Sequence, residues 1–127
     1  TFTPCLNDTG STTFSYSYQT GNYTKIGNKV FFYFSVGFTH NNSSPGVLQL
    51  KGFPFTPADN SSYPRFTTTV NKVSLSGPIA LTAYLGPNAA TGNILLTYIN
   101  GTGWGSLSTS ALTAAGSDMT ISGFYTV

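Results

Sequence analysis

Residues 29–39, KVFFYFSVGFT, constrain the fold more than any other part of the chain. Every second residue is apolar, which is the pattern of a β-strand with one face in a core. This face consists of Val30, Phe32, Phe34, Val36 and Phe38. The opposite face is polar only in part, because it also carries Phe31 and Tyr33. A strand that is apolar on both faces must be covered on both.

Turn signals divide the rest of the chain into short strands at roughly 8–12-residue intervals. Gly27-Asn28 precedes the opening segment, and glycine at the first central position suits a type II′ hairpin turn. Gly21-Asn22 is read as a second turn, after an alternating segment that places Phe14, Tyr16 and Tyr18 on one face. Residues that favour helices are almost absent at helical spacing. We therefore predict an all-β fold, an antiparallel β-sandwich or jelly-roll-like domain spanning residues 1–127 with about 9–11 short strands.

The chain is nearly uncharged, with 6% charged residues and a formal net charge of +2. Its five basic residues form no run, so the sequence predicts no nucleic-acid partner. No stretch approaches the roughly 18 apolar residues of a membrane span, so we expect no membrane insertion. The single cysteine, Cys5, has no partner for an internal disulfide. One histidine and three aspartates are too few for us to predict a metal site or a cofactor.

Three carboxylates are available for catalysis, namely Asp8, Asp59 and Asp118. Each lies in a turn or loop, or just before a strand, where Asp commonly bonds the backbone. Most glycosidases need two carboxylates that flank one bond, and nothing in the sequence brings two of these together. A Ser-His-Asp triad lacks its strand-turn-helix context. The sequence therefore predicts no enzymatic activity.

Binding is better supported than catalysis. Trp104 lies between glycines in NGTGWGS, where its ring would be poorly shielded, although capping the end of the sandwich is an equal alternative. The irregular loop 56–65 offers Tyr63 and Arg65 for stacking and hydrogen bonding. His40 opens the polar loop 40–46 and is expected to be exposed, with a ligand contact as the alternative. The candidate ligand-binding residues are therefore His40, Tyr63, Arg65 and Trp104.

Four segments carry a resemblance to a known family, namely Thr1–Pro4, Gly21–Gly27, Gly52–Phe55 and Ser122–Thr126. Their sequences, TFTP, GNYTKIG, GFPF and SGFYT, resemble the C-terminal β-domain of bacteriophage tail fibres and related virion-surface proteins of the receptor-binding tip type. The resemblance implies the C-terminal part of a longer protein on the virion surface. It also implies a homotrimer that binds a host cell-surface glycan or protein, with no catalytic residues. Residues from about 56 to 118 lie outside the resemblance.

Phe31 and Tyr33 depart from this family, which usually has small polar residues at these positions. Either a neighbouring subunit covers them or the 56–65 loop of the same chain does. We favour a subunit interface, because fibres are symmetric trimers and two fully buried aromatics contribute on the order of 3–6 kcal/mol. The leading hypothesis is a host-attachment domain. A capsid-decoration or trimerisation module without receptor binding is the alternative, and a polysaccharide hydrolase is disfavoured by the scarcity of carboxylates.

Overall fold

The computed structural model describes residues 1–41, 44–58, 65–71, 80–85, 94–100, 103–113 and 115–127. Within these residues lie nine β-strands and a short 3-10 helix, Thr109–Ala111. The strands are β1 Cys5–Asp8, β2 Thr13–Ile26, β3 Lys29–Asn41, β4 Leu48–Lys51, β5 Arg65–Asn71, β6 Ala80–Leu85, β7 Ile94–Asn100, β8 Gly103–Ser106 and β9 Ser117–Thr126. The predicted all-β fold is confirmed.

The strands form one antiparallel sheet that curls around a single core. Its order is β1-β4-β7-β6-β5-β9-β3-β2, and β8 pairs with β7 outside this path. The two ends of this order meet where the Phe2 N–H donates to Gly21 O at 3.0 Å. Core side chains come from β1, β3, β4, β5, β6 and β9, so both halves of the sheet enclose the same apolar interior. The result is a sandwich made by folding one sheet over.

β2 and β3 form a long hairpin around the Gly27-Asn28 turn, as predicted. Gly27 has a φ of 59°, the left-handed conformation that a primed hairpin turn requires. The predicted turn at Gly21-Asn22 is wrong, because β2 runs through both residues. A Cβ at position 21 would lie 2.4 Å from Phe2 O, so this glycine allows the N-terminal segment to approach the strand closely.

The predicted inner face of β3 is confirmed. All five even-numbered apolar residues of β3 are buried. On β9 the same alternation buries Met119, Ile121 and Tyr125. Because β9 pairs with β3 over ten residue pairs, Lys29–Phe38 with Ser117–Thr126, the two strands present a continuous apolar surface to the core.

Three of the segments that carry the family resemblance meet at one end of the core. The ring of Phe53 lies 5.6 Å from that of Phe2, 5.1 Å from that of Phe32 and 5.9 Å from that of Tyr125. The hydroxyl of Tyr125 donates to Phe55 O at 3.2 Å. Burial raises the pKa of Tyr125 to about 12. These motif residues therefore act as determinants of the fold, and we call the cluster of Phe2, Phe32, Phe53 and Tyr125 the aromatic end.

Candidate functional site

Phe31 and Tyr33, the two aromatic residues that interrupt the polar face in the sequence, lie on the outer face of β3. Phe124 on β9 is directly opposite Phe31 and therefore points to the same face. The three side chains are 42%, 43% and 48% exposed, respectively. The ring centroids of Phe31 and Phe124 are 5.5 Å apart. We call these three residues the outer aromatic patch.

Mostly uncharged polar residues border the outer aromatic patch, and they lie on all three neighbouring strands. Directly paired positions contribute Asn22 and Thr24 from β2, Ser122 from β9 and Thr67 from β5. The Nζ of Lys29 lies 5.3 Å from the ring centroid of Phe124, within the range of a cation–π contact. An apolar centre with a polar rim is the usual anatomy of a protein–protein interface.

The 56–65 loop, the alternative cover for the patch, begins beside the end of β9. The Ala58 N–H donates to Thr126 O at 2.8 Å. Residues 59–64, which include Asp59 and Tyr63, lie outside the described residues. In the single chain the patch remains exposed. Its burial against a second copy of the chain therefore stays a prediction.

Arg65 and Trp104, two of the predicted ligand-binding residues, lie on different strands. Arg65 is exposed at the start of β5, with its guanidinium carbon 5.9 Å from the ring centroid of Tyr84. Trp104 lies in β8 opposite Ile99, and its side chain is outside the described part of the structure. Three strand spacings separate β5 from β8, about 14 Å along the sheet. The fold therefore does not bring Arg65 and Trp104 into one site.

His40 is buried, so the expectation that it is exposed is wrong. β3 extends to Asn41, which makes His40 a strand residue, and its side chain is only 7% exposed. Its Nε2 donates to Leu112 O at 3.3 Å, while Nδ1 has no partner among the described residues. The ring packs 6.2 Å from Phe14 and 6.4 Å from Phe38. This inner-face position argues against a contact between His40 and a surface ligand.

Asp8 does more than shape a turn. Its carboxylate accepts hydrogen bonds from the Thr12 N–H at 3.3 Å, the Gly46 N–H at 3.1 Å and the Thr109 hydroxyl at 2.9 Å. Burial raises the pKa of Asp8, but the hydrogen bonds outweigh burial and hold the pKa below its ordinary value. The carboxylate thus ties the end of β1 to the 3-10 helix and to the loop before β4. We call Asp8, Thr12, Gly46 and Thr109 the polar clamp.

Sequence reasoning missed a β-bulge in β2. Tyr16 pairs with Phe38 and Tyr18 pairs with Gly37, so Ser17 is an extra residue on β2. The bulge shifts the alternation, and Tyr18, which was predicted to share a face with Tyr16, lies on the outer face and is 45% exposed. The available signal was Gly37, since a lone glycine inside a strand pattern often marks a bulge.

Among the described residues, no helix is long and apolar enough to cross a membrane. The same residues contain no group of three or more His, Cys, Asp or Glu side chains that could hold a metal ion. Asp118 lies on β9 and accepts a hydrogen bond from Asn71 Nδ2 at 2.6 Å, whereas Asp8 is engaged in the polar clamp. The two described carboxylates therefore occupy separate environments.

Comparison with known proteins finds a shared fold. No family model and no curated protein matches the chain. Among solved structures, the chain is similar to the crystal structure of the Dettilon tailspike protein (gp208), with a TM-score of 0.77 and 23% sequence identity. The similarity covers 98% of this chain and 23% of that chain, so the chain spans less than a quarter of the tailspike's length. The chain therefore has the all-β fold of one segment of a tailspike protein.

Proposed function

We propose that the chain is a non-catalytic attachment domain of a phage tail fibre or tailspike-type protein, carried on the virion surface. It associates as a homotrimer and binds a host-surface glycan or protein. The observation that carries this proposal is the fold shared with the tailspike over 98% of the chain at a TM-score of 0.77. The segments that resemble tail-fibre domains support it, because three of them pack together at the aromatic end.

The outer aromatic patch is the surface proposed for self-association. Its three rings are each a little less than half exposed, so their complete burial would contribute about 3 kcal/mol per subunit. The polar rim carries hydroxyl and amide groups that can bond across an interface or to water. A trimer would remove these rings from solvent and would thus provide the cover that the second face of β3 requires.

Binding is proposed rather than hydrolysis because of how the carboxylates are used. A glycosidase needs a general acid and a base or nucleophile on either side of one bond. Asp8 is buried and holds the polar clamp, and the Asp118 carboxylate accepts a hydrogen bond from Asn71 on the sheet surface. The two described aspartates thus do not form a glycosidase pair, and an assay for released reducing ends on host polysaccharide, in which we expect no release, tests the proposal directly.

Light scattering of the purified chain over a range of concentrations tests the trimer. We expect a mass of three chains, and a Phe31→Ser/Tyr33→Ser variant should weaken association by on the order of tenfold or more, because polar residues remove the apolar contact area. Tyr18→Ser is the matched control, since Tyr18 is an aromatic residue on the same face, is 45% exposed and pairs with Gly37, four positions along β3 from Tyr33. A monomer at every concentration would refute the trimer.

Attachment is tested with a fluorescently labelled chain on a panel of bacterial strains, and by competition with whole phage for adsorption. We expect saturable binding to strains that the parent phage adsorbs to. Binding to emptied phage particles without binding to any cell would instead support the decoration module.

A further inference from the structure

The β-bulge in β2 changes the outer surface of the sheet at one place. With Ser17 as the extra residue, Tyr18 faces outward and lies across Gly37 of β3. A Cβ at position 37 would be 2.4 Å from Cε1 of Tyr18, so the tyrosine ring occupies the space that a side chain would fill. Bulges often lie next to functional sites because they redirect a side chain.

A cleft of about 470 Å³ opens beside this bulge. Its polar lining includes the hydroxyl residues Ser15, Ser17 and Thr39 and the carboxylate of Asp118. The three hydroxyl residues are exposed, and their hydroxyls form no hydrogen bond with the described residues. The volume lies within the range of small-molecule sites, about 300–1,000 Å³. We call this site the bulge cleft.

Asp118 is held in place at the edge of the bulge cleft. Asn71 on β5, Asp118 on β9, Gly37 on β3 and Tyr18 on β2 are paired in one row across four strands. Asn71 Nδ2 donates to Oδ1 of Asp118 at 2.6 Å, and no donor from the described residues reaches Oδ2. The cleft therefore combines a fixed acceptor with several free hydroxyls, and Tyr18, which is not part of its lining, lies in the same row as Asp118 at about two strand spacings, roughly 10 Å.

We propose that the bulge cleft binds a neutral sugar unit of a host-surface polysaccharide. Hydroxyl groups of the sugar donate to Asp118 Oδ2 and exchange hydrogen bonds with Ser15, Ser17 and Thr39, while the apolar face of the sugar ring extends beyond the lining and packs on Tyr18, the residue after Ser17. The described residues of the cleft lining include no Lys or Arg, so they offer no cation to an acidic sugar. This inference rests on the proposed attachment function and gives it a location and a ligand class.

The bulge cleft is distinct from the outer aromatic patch, although both lie on the outer surface of the sheet. Tyr33 and Gly37 are four positions apart on β3, about 13 Å along the strand. Between them the Ser35 and Thr120 hydroxyls bond to each other at 3.0 Å, and Ser35 is buried. Variants of the two sites can therefore be compared in the same protein.

Saturation-transfer NMR on the whole chain tests the proposal with glucose, galactose and mannose as probes, and with glucuronate and glucosamine as charged comparisons. We expect at least one neutral hexose to bind at millimolar concentration and to bind more tightly than either charged sugar. Asp118→Asn and Tyr18→Ala should each weaken binding by on the order of tenfold. Tyr18→Phe keeps the ring and should retain most of the affinity, which assigns the contact to the ring and not to the hydroxyl, and an unchanged circular dichroism spectrum of Tyr18→Ala separates loss of stacking from loss of folding.

Three results would overturn the assignment. No neutral hexose binds at about 50 mM, a concentration well above the millimolar range expected; the variants bind like the unmodified chain; or a charged sugar binds more tightly. Cell binding distinguishes this failure from failure of the proposed function. If Asp118→Asn still binds host cells while the hexoses do not bind the chain, the cleft is wrong and attachment stands. If the unmodified chain binds no cells, the attachment function fails whatever the hexoses do.

Discussion

At the turn end of the β2–β3 hairpin the core is closed by aromatic rings, whereas at the opposite end it is closed by hydrogen bonds. Phe53 packs against Phe2, Phe32 and Tyr125 at the aromatic end. At the other end the polar clamp gathers three donors around the buried carboxylate of Asp8. Ring packing depends on area and shape, while the clamp depends on charge. The two ends should therefore respond to different perturbations.

Loss of a ring at the aromatic end should have the largest effect. We expect Phe53→Ala to lower the free energy of unfolding by about 3 kcal/mol, because it removes apolar area and leaves a cavity among its ring partners. Urea unfolding followed by tyrosine fluorescence measures the change. A loss below about 1 kcal/mol would show that the other rings close the end without Phe53.

Asp8→Asn should be the next largest change, at about 2 kcal/mol, since an amide accepts poorly at a site built from three donors. Urea unfolding at neutral pH measures it. The matched control is Asp118→Asn. The Asp118 carboxylate lies on the sheet surface and accepts a hydrogen bond from Asn71, so this substitution should change stability by less than about 1 kcal/mol. Equal losses in the two variants would contradict a special role for the polar clamp.

Acid should act on the polar clamp without mutation. The folded protein holds the pKa of Asp8 below its ordinary value, so the unfolded chain takes up the proton first as the pH falls. The stability that Asp8 contributes is therefore present at neutral pH and is lost below about pH 4, through the folded pKa. Thermal unfolding between pH 2 and 6 should show this decline, and the decline should be smaller in Asp8→Asn.

The aromatic end should respond to alkali instead. Because burial raises the pKa of Tyr125 to about 12, the unfolded chain loses that proton first. The stability contributed by neutral Tyr125 is full below about pH 10 and declines as the pH rises toward the folded pKa. Tyr125→Phe removes the bond to Phe55 O and should cost about 1 kcal/mol at neutral pH. A stability curve for this variant that still bends above pH 10 would assign the effect to other tyrosines.

The sequence predicted what depends on local pattern. The alternation of Val30 to Phe38 placed the inner face of β3, and Gly27 placed the hairpin turn. Prediction from the sequence failed where residues that are distant in the chain determine the local structure. Gly21 was predicted to lie in a turn, but its role is to let Phe2 pack against the strand. His40 was predicted to lie in a loop, but it is buried and bonds to Leu112 O.

The candidate site shows the same limit. Phe31 and Tyr33 were identified from a broken alternation, because an apolar residue on a polar face is visible locally. Phe124 joins them only through the pairing of β3 with β9. The bulge cleft could not be predicted, since Asn71, Asp118 and Tyr18 share a row only after three strand pairings are set.

The bulge in β2 and the backbone hydrogen bond between Phe2 and Gly21 also affect the edge of the sheet. β2 is the last strand in the sheet order and the longest of the described strands. A long, straight edge strand readily pairs with a strand of another molecule, which leads to fibrils. The extra residue at Ser17 and the N-terminal segment at Gly21 divide this edge into short stretches of regular strand. Two copies of the chain are thereby hindered from pairing their backbones along this edge.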